Sequence, residues 1–491
     1  MQIAFETLKA KLIPDRYTPE DISRAKKAYD LAFQAHDGQL RKSGEPYFIH
    51  PLITAMKLAD MKLPIDIVIA GLLHDVPEDT KIELDEIRNA FGDDVANMVN
   101  GVTKLGHVQY RGLDRYVENL RKMFLAMAQD VRVVFIKFAD RMHNMETLYV
   151  IPEHKRRRIA KEVMEIYAPI ANRLGMGEYR GLFEDYSFRY LEPKEYNWTK
   201  HLLEQRIKKA GPAIEKAIKS VEQELAIHDI KPLSVHGRTK YCYSLYKKLK
   251  RYNDDITKIY DIMALRIVVG DVSECYATLG ILHGLYVPLS GRIKDYIAQP
   301  KPNGYRSLHT TVFDEQGTIL EFQIRTNEMH EEAEYGVAAH WRYKEAPESE
   351  KEQKLEWMNE LIKIQKELEE EDFMNRLDEL KLDMFQDRIF VFTPNGDVFD
   401  LPSGSTPIDF AYHVHTDIGD KAGGVKINNQ IANLNTPLRS GDMCEIIVEK
   451  NRKGPNADWL KFVKTQHARD KIRDSIKKTK KSFFSGFMHK Q

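Results

Sequence analysis

Ala70-Gly71-Leu72-Leu73-His74-Asp75-Val76-Pro77-Glu78-Asp79 changes character within ten residues, from an apolar run to a His-Asp pair and then a Glu-Asp pair. An apolar run of this kind carries the polar groups beside it out of water, and buried polar groups need partners. A His-Asp pair supplies one imidazole and one carboxylate to a divalent cation. Glu78 lies four residues after His74, so on a helix both face the same side. The stretch predicts a helical domain built around a metal-dependent hydrolytic site.

Two further segments extend that expectation. Tyr47-Phe48-Ile49-His50-Pro51 offers a second imidazole, and Ala139-Asp140-Arg141-Met142-His143-Asn144 a second carboxylate. His50, His74, Asp75 and Asp140 make a two-nitrogen, two-oxygen set suited to a borderline-to-hard ion such as Mn²⁺. Glu78 and Asp79 are then placed to position water and move its proton. Asn144 follows Asp140 by four residues, again on one helix face. Arg41-Lys42 is placed to hold a base or a phosphate. Taken singly, His50 and His143 read equally well as core histidines; the constellation is what carries the reading.

Composition sets the frame. With 491 residues, 42% hydrophobic and 30% charged, the chain reads as a soluble globular protein of two to four domains. Its 74 basic and 74 acidic residues cancel, so global charge argues for neither a nucleic-acid nor a membrane partner. Cys242, Cys275 and Cys444 stand far apart without a CxxC pair, which fits a reducing cytoplasm better than a disulfide framework. No signal-peptide pattern opens the chain and no apolar stretch approaches the roughly 20 residues that span a bilayer. The expected location is cytoplasmic.

Residues 20–190 show helical periodicity, and a Lys/Glu-rich helix is expected from about 200 to 227. The texture then changes: 262–269 and 318–324 read as buried strands among helices, a mixed domain. Within it Arg238, Lys240, Lys247 and Lys248 suit a polyphosphate. Gly291-Arg292-Ile293-Lys294-Asp295-Tyr296 adds positive charge. Lys301-Pro302-Asn303-Gly304-Tyr305-Arg306-Ser307-Leu308-His309 is a donor-rich turn whose tyrosine is placed to stack on a base. Asp261 sits at the mouth of one strand. Glu321, Gln323 and Arg325 alternate on the other and share a face. Asp261 with Glu321 would hold Mg²⁺ and deprotonate a hydroxyl nucleophile. A charged helical connector and a small β-rich unit follow. In that unit strands over 388–393 and 398–401 flank a Pro394-Asn395-Gly396-Asp397 turn, and Ser405-Thr406-Pro407 opens a helix. A basic helix from Lys471 to Lys481, ending at Ser482-Phe483-Phe484, closes the chain.

With these motifs in view, the chain resembles the RelA/SpoT homologue family over roughly residues 20–475, in its bifunctional Rel/SpoT-like branch. The resemblance implies an α+β multidomain protein with five segments. Residues 20–195 would be an all-helical HD-type hydrolase domain, and 196–345 a mixed α/β, nucleotidyltransferase-like synthetase domain with a leading helical linker. A helical connector would span 346–386, a small β-grasp TGS domain 387–448, and the start of a helical region 449–491. It implies hydrolysis of (p)ppGpp to GDP or GTP plus pyrophosphate with Mn²⁺, and Mg²⁺-dependent pyrophosphate transfer from ATP to the 3′-hydroxyl of GDP or GTP, the chemistry of the stringent response.

Carried over by motif, His50, His74, Asp75 and Asp140 would be metal ligands and Glu78 and Asp79 the catalytic acids. Arg41, Lys42, Asn144 and Thr147 would bind the nucleotide. In the second site Asp261 and Glu321 would be the Mg²⁺ and general-base carboxylates, and Tyr305 would stack the guanine beside Lys301, Asn303 and His309. Arg238, Lys240 and Lys248 would face ATP. The basic Arg292-Ile293-Lys294-Asp295 form matches the bifunctional branch. His415 matches a TGS histidine implicated in contact with uncharged tRNA on the ribosome; as a residue it reads equally as part of a small core.

Two departures stand out. Pro77 sits between the acidic and His-Asp pairs where a β-branched residue is expected, and the chain stops where relatives usually continue into regulatory modules. The competing expectations are a monofunctional (p)ppGpp hydrolase with an inactive second site, and a ribosome- or tRNA-binding sensor with vestigial enzyme domains.

Overall fold

The computed structural model describes residues 5–13, 16–106, 129–301, 304–314, 317–340, 388–394, 398–439, 441–449, 452 and 454–488. The chain divides into two compact units, Met1–Glu367 and Leu368–Gln491. The connector expected over 346–386 and the Asn395-Gly396 turn lie outside the described residues.

The first half of unit one is helical: α1 (Phe5–Lys9), α2 (Pro19–Ala35), α3 (Ile49–Asp60), α4 (Ile65–Leu73), α5 (Val76–Asp79), α6 (Leu84–Phe91), α7 (Asp93–Gly106), α8 (Arg132–Glu146), α9 (Glu153–Glu162), α10 (Ala168–Arg173) and α11 (Gly177–Leu191). Local sequence explains the start of α2. Thr18 caps Asp21 N–H while Asp21 answers to the Thr18 backbone, and Pro19 occupies the first turn, both regular devices of a helix N-terminus. α3, α4 and α8 pack together around Leu52, Leu58, Val68, Leu72, Phe135 and Ile136, all nearly inaccessible to water. Gly71 permits this approach, since a Cβ there would overlap Leu58 Cδ1 and lie 3.5 Å from Ala55 Cα. The helix continues from α9 to α10 through a π turn, Val163–Tyr167.

α12 (Pro193–Ile227, 35 residues with Pro212 inside it) leads to the mixed domain. There β1 (Ser234–Thr239), α13 (Cys242–Arg251), β2 (Met263–Val269), α14 (Val272–Leu285), β3 (Val287–Pro288), β4 (Lys294–Asp295), β5 (Leu308–Phe313), β6 (Ile319–Thr326), α15 (Asn327–Tyr335) and α16 (Val337–His340) follow in order. The sheet order is β1-β2-β6-β5-β3 with β4 also on β5; β2 and β6 run parallel and the other pairs antiparallel. Strand alternation divides the residues between two faces. Leu265, Ile267, Val269, Phe322 and Ile324 join Val221 and Leu225 of α12 and Leu282 of α14 in one core. Arg266, Glu321, Gln323 and Arg325 are left to the other face.

Unit two holds β7 (Arg388–Phe392), β8 (Val398–Pro402), α17 (Pro407–Val414), α18 (Thr416–Asp420), β9 (Ala422–Ile427), β10 (Gln430–Ala432), β11 (Asp442–Val448) and α19 (Gln466–Met488). Its sheet order is β10-β9-β11-β7-β8, with β11 parallel to β7. Thr406 and Asp409 form the expected cap at α17. Asp409 is 1% exposed, and beyond its bonds to Thr406 it accepts from Lys464 N (2.9 Å), Thr465 N (2.7 Å) and Thr465 Oγ1 (2.9 Å). Ile408, Ala411 and Tyr412 share a core with Trp459, Val463, Ala468 and Ile472. The final helix runs on through Met488 instead of stopping at Ser482, because nothing in Ser482-Phe483-Phe484 removes a backbone donor or demands a non-helical angle.

Candidate active sites

α4 ends at Leu73, His74 and Asp75 make a helical turn, and α5 starts at Val76. Pro77 therefore stands in the first turn of a new helix, where its missing N–H would have had no intrahelical partner. His50 comes from α3 and Asp140 from α8. The ligand atoms of His50, His74 and Asp140 lie within 4.8 Å of one another, and all three residues are buried. Asp75 joins them: Oδ1 is 3.1 Å from His74 Nε2 and Oδ2 3.5 Å from His50 Nε2. His50 Nε2 is 3.2 Å from Asp140 Oδ1. The four residues expected as ligands do converge.

The donor set fits a cation. His74 Nδ1 lies 2.8 Å from the Gly71 carbonyl. A carbonyl can only accept, so Nδ1 carries the proton. Nε2 is then a buried lone pair with no hydrogen-bond donor among the described residues. A second ring nitrogen tied to a backbone carbonyl is the usual way a ligand histidine is oriented. Burial lowers the His50 pKa despite Asp140 and Asp75, and burial with the neighbouring His50, Arg41 and Lys57 takes His143 to about 3. Both imidazoles are neutral at physiological pH, the state a metal ligand needs. Burial disfavours the charged form of Asp140. Lys137 (Nζ to Oδ2 2.7 Å), His50 and His74 outweigh it and hold the carboxyl well below its usual range. Behind Asp140, Arg141 donates from Nη2 to the hydroxyl of Tyr167 on the π turn (2.9 Å).

Around this centre Arg41 Nη2 donates to Asn144 Oδ1 (2.7 Å), Arg41 Nη1 reaches Thr147 Oγ1 (3.4 Å), and Asn144 Nδ2 donates to Asp140 Oδ1 (2.5 Å). Arg41, Asn144 and Thr147 are thus gathered as one rim; Lys42 is exposed in the same loop. Glu78 and Asp79 are exposed on α5 at the edge of the buried cluster. Sequence reasoning assigned no role to Tyr47 or Lys137. For Lys137 the available signal was its spacing, three residues before Asp140, a separation that brings side chains together on a helix; Tyr47 lies in the turn before α3 and had no such signal.

The second site lies on the polar face of the first sheet. Asp261, just before β2, accepts from Lys240 Nζ at 2.6 Å and from Lys248 Nζ. Burial opposes ionisation of Asp261, yet the two lysines take it down to about 2. Glu321 on β6 stands 3.3 Å from His309 Nδ1 and accepts from Gln323 Nε2 (3.3 Å). The His309 bond overcomes burial and lowers the Glu321 pKa, so the carboxylate is ionised and His309 Nδ1 carries the proton. His309 Nε2 accordingly accepts from the Tyr305 hydroxyl (2.9 Å). Lys301 Nζ sits over Tyr296 (4.6 Å) and Tyr305 (4.9 Å). Asn303 lies outside the described residues. Among the described residues no metal-type cluster forms at Asp261 and Glu321, and the lysines already occupy Asp261. The Asp261 charge lies near enough to Glu321 to oppose its ionisation, so the two carboxylates expected as the Mg²⁺ pair are neighbours.

Residues 28–177 match the HD domain family, 237–348 the region found in RelA/SpoT proteins, and 389–448 the TGS domain. The bifunctional (p)ppGpp synthase/hydrolase SpoT of Escherichia coli K12 is 43% identical over 482 residues, covering 97% of this chain and 68% of that one. The chain belongs to the RelA/SpoT family. A guanosine-3′,5′-bis(diphosphate) 3′-pyrophosphohydrolase of Aquifex aeolicus is 44% identical over 94% of this chain and 65% of its own length. A GTP pyrophosphokinase of Myxococcus xanthus is 44% identical over 94% of this chain and 61% of its own. This RelA/SpoT member thus spans 60–65% of the length of several curated relatives it matches.

In this RelA/SpoT chain the helical and mixed halves of unit one are joined through α11 and α15, by contacts that the sequence did not announce. α11 delivers Asp185, whose carboxylate accepts from Cys242 N (2.9 Å) and Tyr243 N (2.8 Å) at the start of α13, and Glu184, which pairs with Lys247 (3.0 Å). The same helix presents Gly181, where a Cβ would overlap the Tyr241 ring. α15 spreads three acids in three directions. Glu331 pairs with Lys62 of the helical half (2.9 Å), Glu332 with Arg306 beside Tyr305 (2.9 Å), and Glu334 with the buried Arg266 (2.9 Å) and Arg325 (3.2 Å). In the TGS unit His415 is exposed and caps α18, its Nδ1 accepting from Asp417 N (3.2 Å), so it does not serve the core. Among the described residues no helix is long and apolar enough to cross a membrane.

Proposed function

We propose that this chain is a bifunctional alarmone enzyme, hydrolysing (p)ppGpp to GDP or GTP plus pyrophosphate in its helical half and forming it from ATP and GDP or GTP in its mixed half. The observation that carries the reading is the buried His50–His74–Asp140 cluster with an inward, undonated His74 Nε2. His50, His74, Asp75 and Asp140 would hold Mn²⁺, favoured by the mixed imidazole and carboxylate donors. The cation would supply Lewis-acid activation of water at neutral pH. Arg41, Asn144 and Thr147 would seat the nucleotide, with Lys42 reaching from the loop. Glu78 and Asp79, at the exposed rim, would orient water and pass its proton to solvent.

In the mixed half Glu321 is the better placed base: it is ionised, and His309 and Gln323 fix its direction. Tyr305 would stack the guanine with Lys301 and Asn303 beside it. Arg238, Lys240 and Lys248 would take the ATP phosphates, each ammonium having donors to spare beyond its bond to Asp261. Asp261 and Glu321 would hold Mg²⁺, which would offset the charge of the phosphates. The TGS unit offers His415, exposed, to uncharged tRNA on the ribosome. Contacts through α11 and α15 support the further reading that nucleotide in one site depresses turnover in the other.

The test is pyrophosphate release from ppGpp with Mn²⁺, and ppGpp formation from ATP and GDP, each with the purified chain. Glu78→Gln should abolish the first and Asp261→Asn the second. Hydrolysis without synthesis would favour a monofunctional hydrolase. Ribosome co-sedimentation without either turnover would favour a sensor.

A further inference from the structure

The acid-bearing turn α5 has only four residues, and its N-cap residue Asp75 makes no side-chain capping bond. A helix this short does not hold itself, since one turn costs more conformational entropy than its first bond returns. Something outside it must fix Asp79 relative to the cluster. Tyr47 reaches both ends of the turn: its hydroxyl lies 3.0 Å from Asp75 Oδ2 and 2.6 Å from Asp79 Oδ2.

The tyrosine is itself held. Its ring stacks on His36 (centroids 4.9 Å apart, planes at 28°), and His36 is 2% exposed. His36 Nδ1 bonds Gln39 Oε1 (2.9 Å), and Gln39 Nε2 donates to the Asp79 carbonyl (2.8 Å). The segment between α2 and α3 therefore grips α5 twice, at the Asp79 carbonyl through Gln39 and at its carboxylate through Tyr47.

A phenol has one proton to give. Asp75 Oδ1 and Oδ2 already face His74 and His50, so Asp75 has partners at the metal cluster, whereas Asp79 Oδ2 is at the shorter distance from the hydroxyl. We propose that Tyr47 is a positioning residue of the hydrolytic site. Its one proton, shared between Asp79 Oδ2 at 2.6 Å and Asp75 Oδ2 at 3.0 Å, ties the Asp79 carboxylate to the ligand Asp75, so that the turn bearing the acids and the metal cluster move as one body. The proposal rests on the hydrolase reading above.

The experiment uses the full chain with Tyr47→Phe, which keeps the ring and its stack on His36 and removes only the hydroxyl. Mn²⁺ affinity is measured without nucleotide by calorimetry, and ppGpp hydrolysis is resolved into kcat and KM. Loss of an outer partner of a metal ligand commonly weakens binding by about 10–100-fold. The expected result is a Mn²⁺ Kd raised about 10-fold and kcat lowered by about 10-fold or more at saturating Mn²⁺, with KM within about 3-fold because Arg41, Asn144 and Thr147 are untouched. A second variant, Gln39→Met, should lower kcat without changing Mn²⁺ affinity, since it releases the Asp79 carbonyl and His36 Nδ1 but leaves the Tyr47 hydroxyl on both carboxylates. An unchanged Mn²⁺ Kd in Tyr47→Phe, or an unchanged kcat, overturns the proposal. If the wild-type chain hydrolyses no ppGpp, the functional reading fails, and the Mn²⁺ affinities still decide whether Tyr47 tethers Asp75.

Discussion

Replacing Lys137 by methionine isolates one charge. Methionine keeps most of the stem volume, and such swaps cost under about 1.5 kcal/mol in a core. The ammonium goes, and with it the bond to Asp140 Oδ2 at 2.7 Å; Oδ1 keeps Asn144 and His50. The side chains of Lys137 and Asp140 are 12% and 5% exposed, so water offers little replacement. Breaking one side of a buried pair costs roughly 3–5 kcal/mol.

The pH dependence follows from the depressed Asp140 pKa. In the wild type Asp140 contributes stability above its unfolded value, about 3.9, and loses it only as pH falls through a still lower folded value. In Lys137→Met the folded value rises, so the penalty is full at neutral pH and shrinks toward about pH 4. Hydrogen exchange along α8 in EDTA reads the local free energy directly. Mn²⁺ at about 100 times Kd should return about 2.7 kcal/mol to either protein. A loss below about 1 kcal/mol at pH 7 in EDTA, against the roughly 3–5 kcal/mol expected, or one that does not shrink on acidification, would refute the idea that Lys137 neutralises Asp140.

Gly181→Ala drives a Cβ into the Tyr241 ring. Overpacking should cost about 1–3 kcal/mol in thermal unfolding, and Tyr241→Ala in the same chain should relieve it. Asp185 is pushed up to about 6 by burial, against two backbone N–H bonds that lower it. Its folded value exceeds its unfolded one, so stability falls as pH rises from about 4 through about 6, and Asp185→Asn should flatten that part of a stability–pH profile. Glu321→Gln should reduce synthesis by about 10²–10⁴-fold while hydrolysis keeps its wild-type rate, read in the two turnover assays.

The convergence of His50, His74, Asp75 and Asp140 was legible in the sequence because its residues come in groups whose spacing is local. His74-Asp75 share a turn, and Asp140 and Asn144 share a helix face. The parallel strands β2 and β6 were legible for the same reason, as apolar runs with one polar alternation. What escaped was long-range or geometric. Lys62 and Glu331 meet across 269 positions, a distance at which no spacing rule operates. That Lys240 and Lys248 both bond Asp261 likewise shows only in the folded chain. Pro77, which stands where a β-branched residue is expected, lies in the first turn of a separate short helix. His415, balanced between core and surface in the sequence, is settled by a single fact, its exposure.

Asp409 draws a boundary that family resemblance does not. The TGS match stops at 448, yet this carboxylate accepts three of its bonds from Lys464 and Thr465. Trp459, Val463 and Ile472 close the floor beneath α17. A fragment cut at 448 would expose that floor and strand a charge whose lone pairs were aimed at amides no longer present. The unit of inheritance and the unit of folding therefore differ here, the second running past the last strand into α19, and any experiment that transplants the smaller piece will be studying a protein with an open seam.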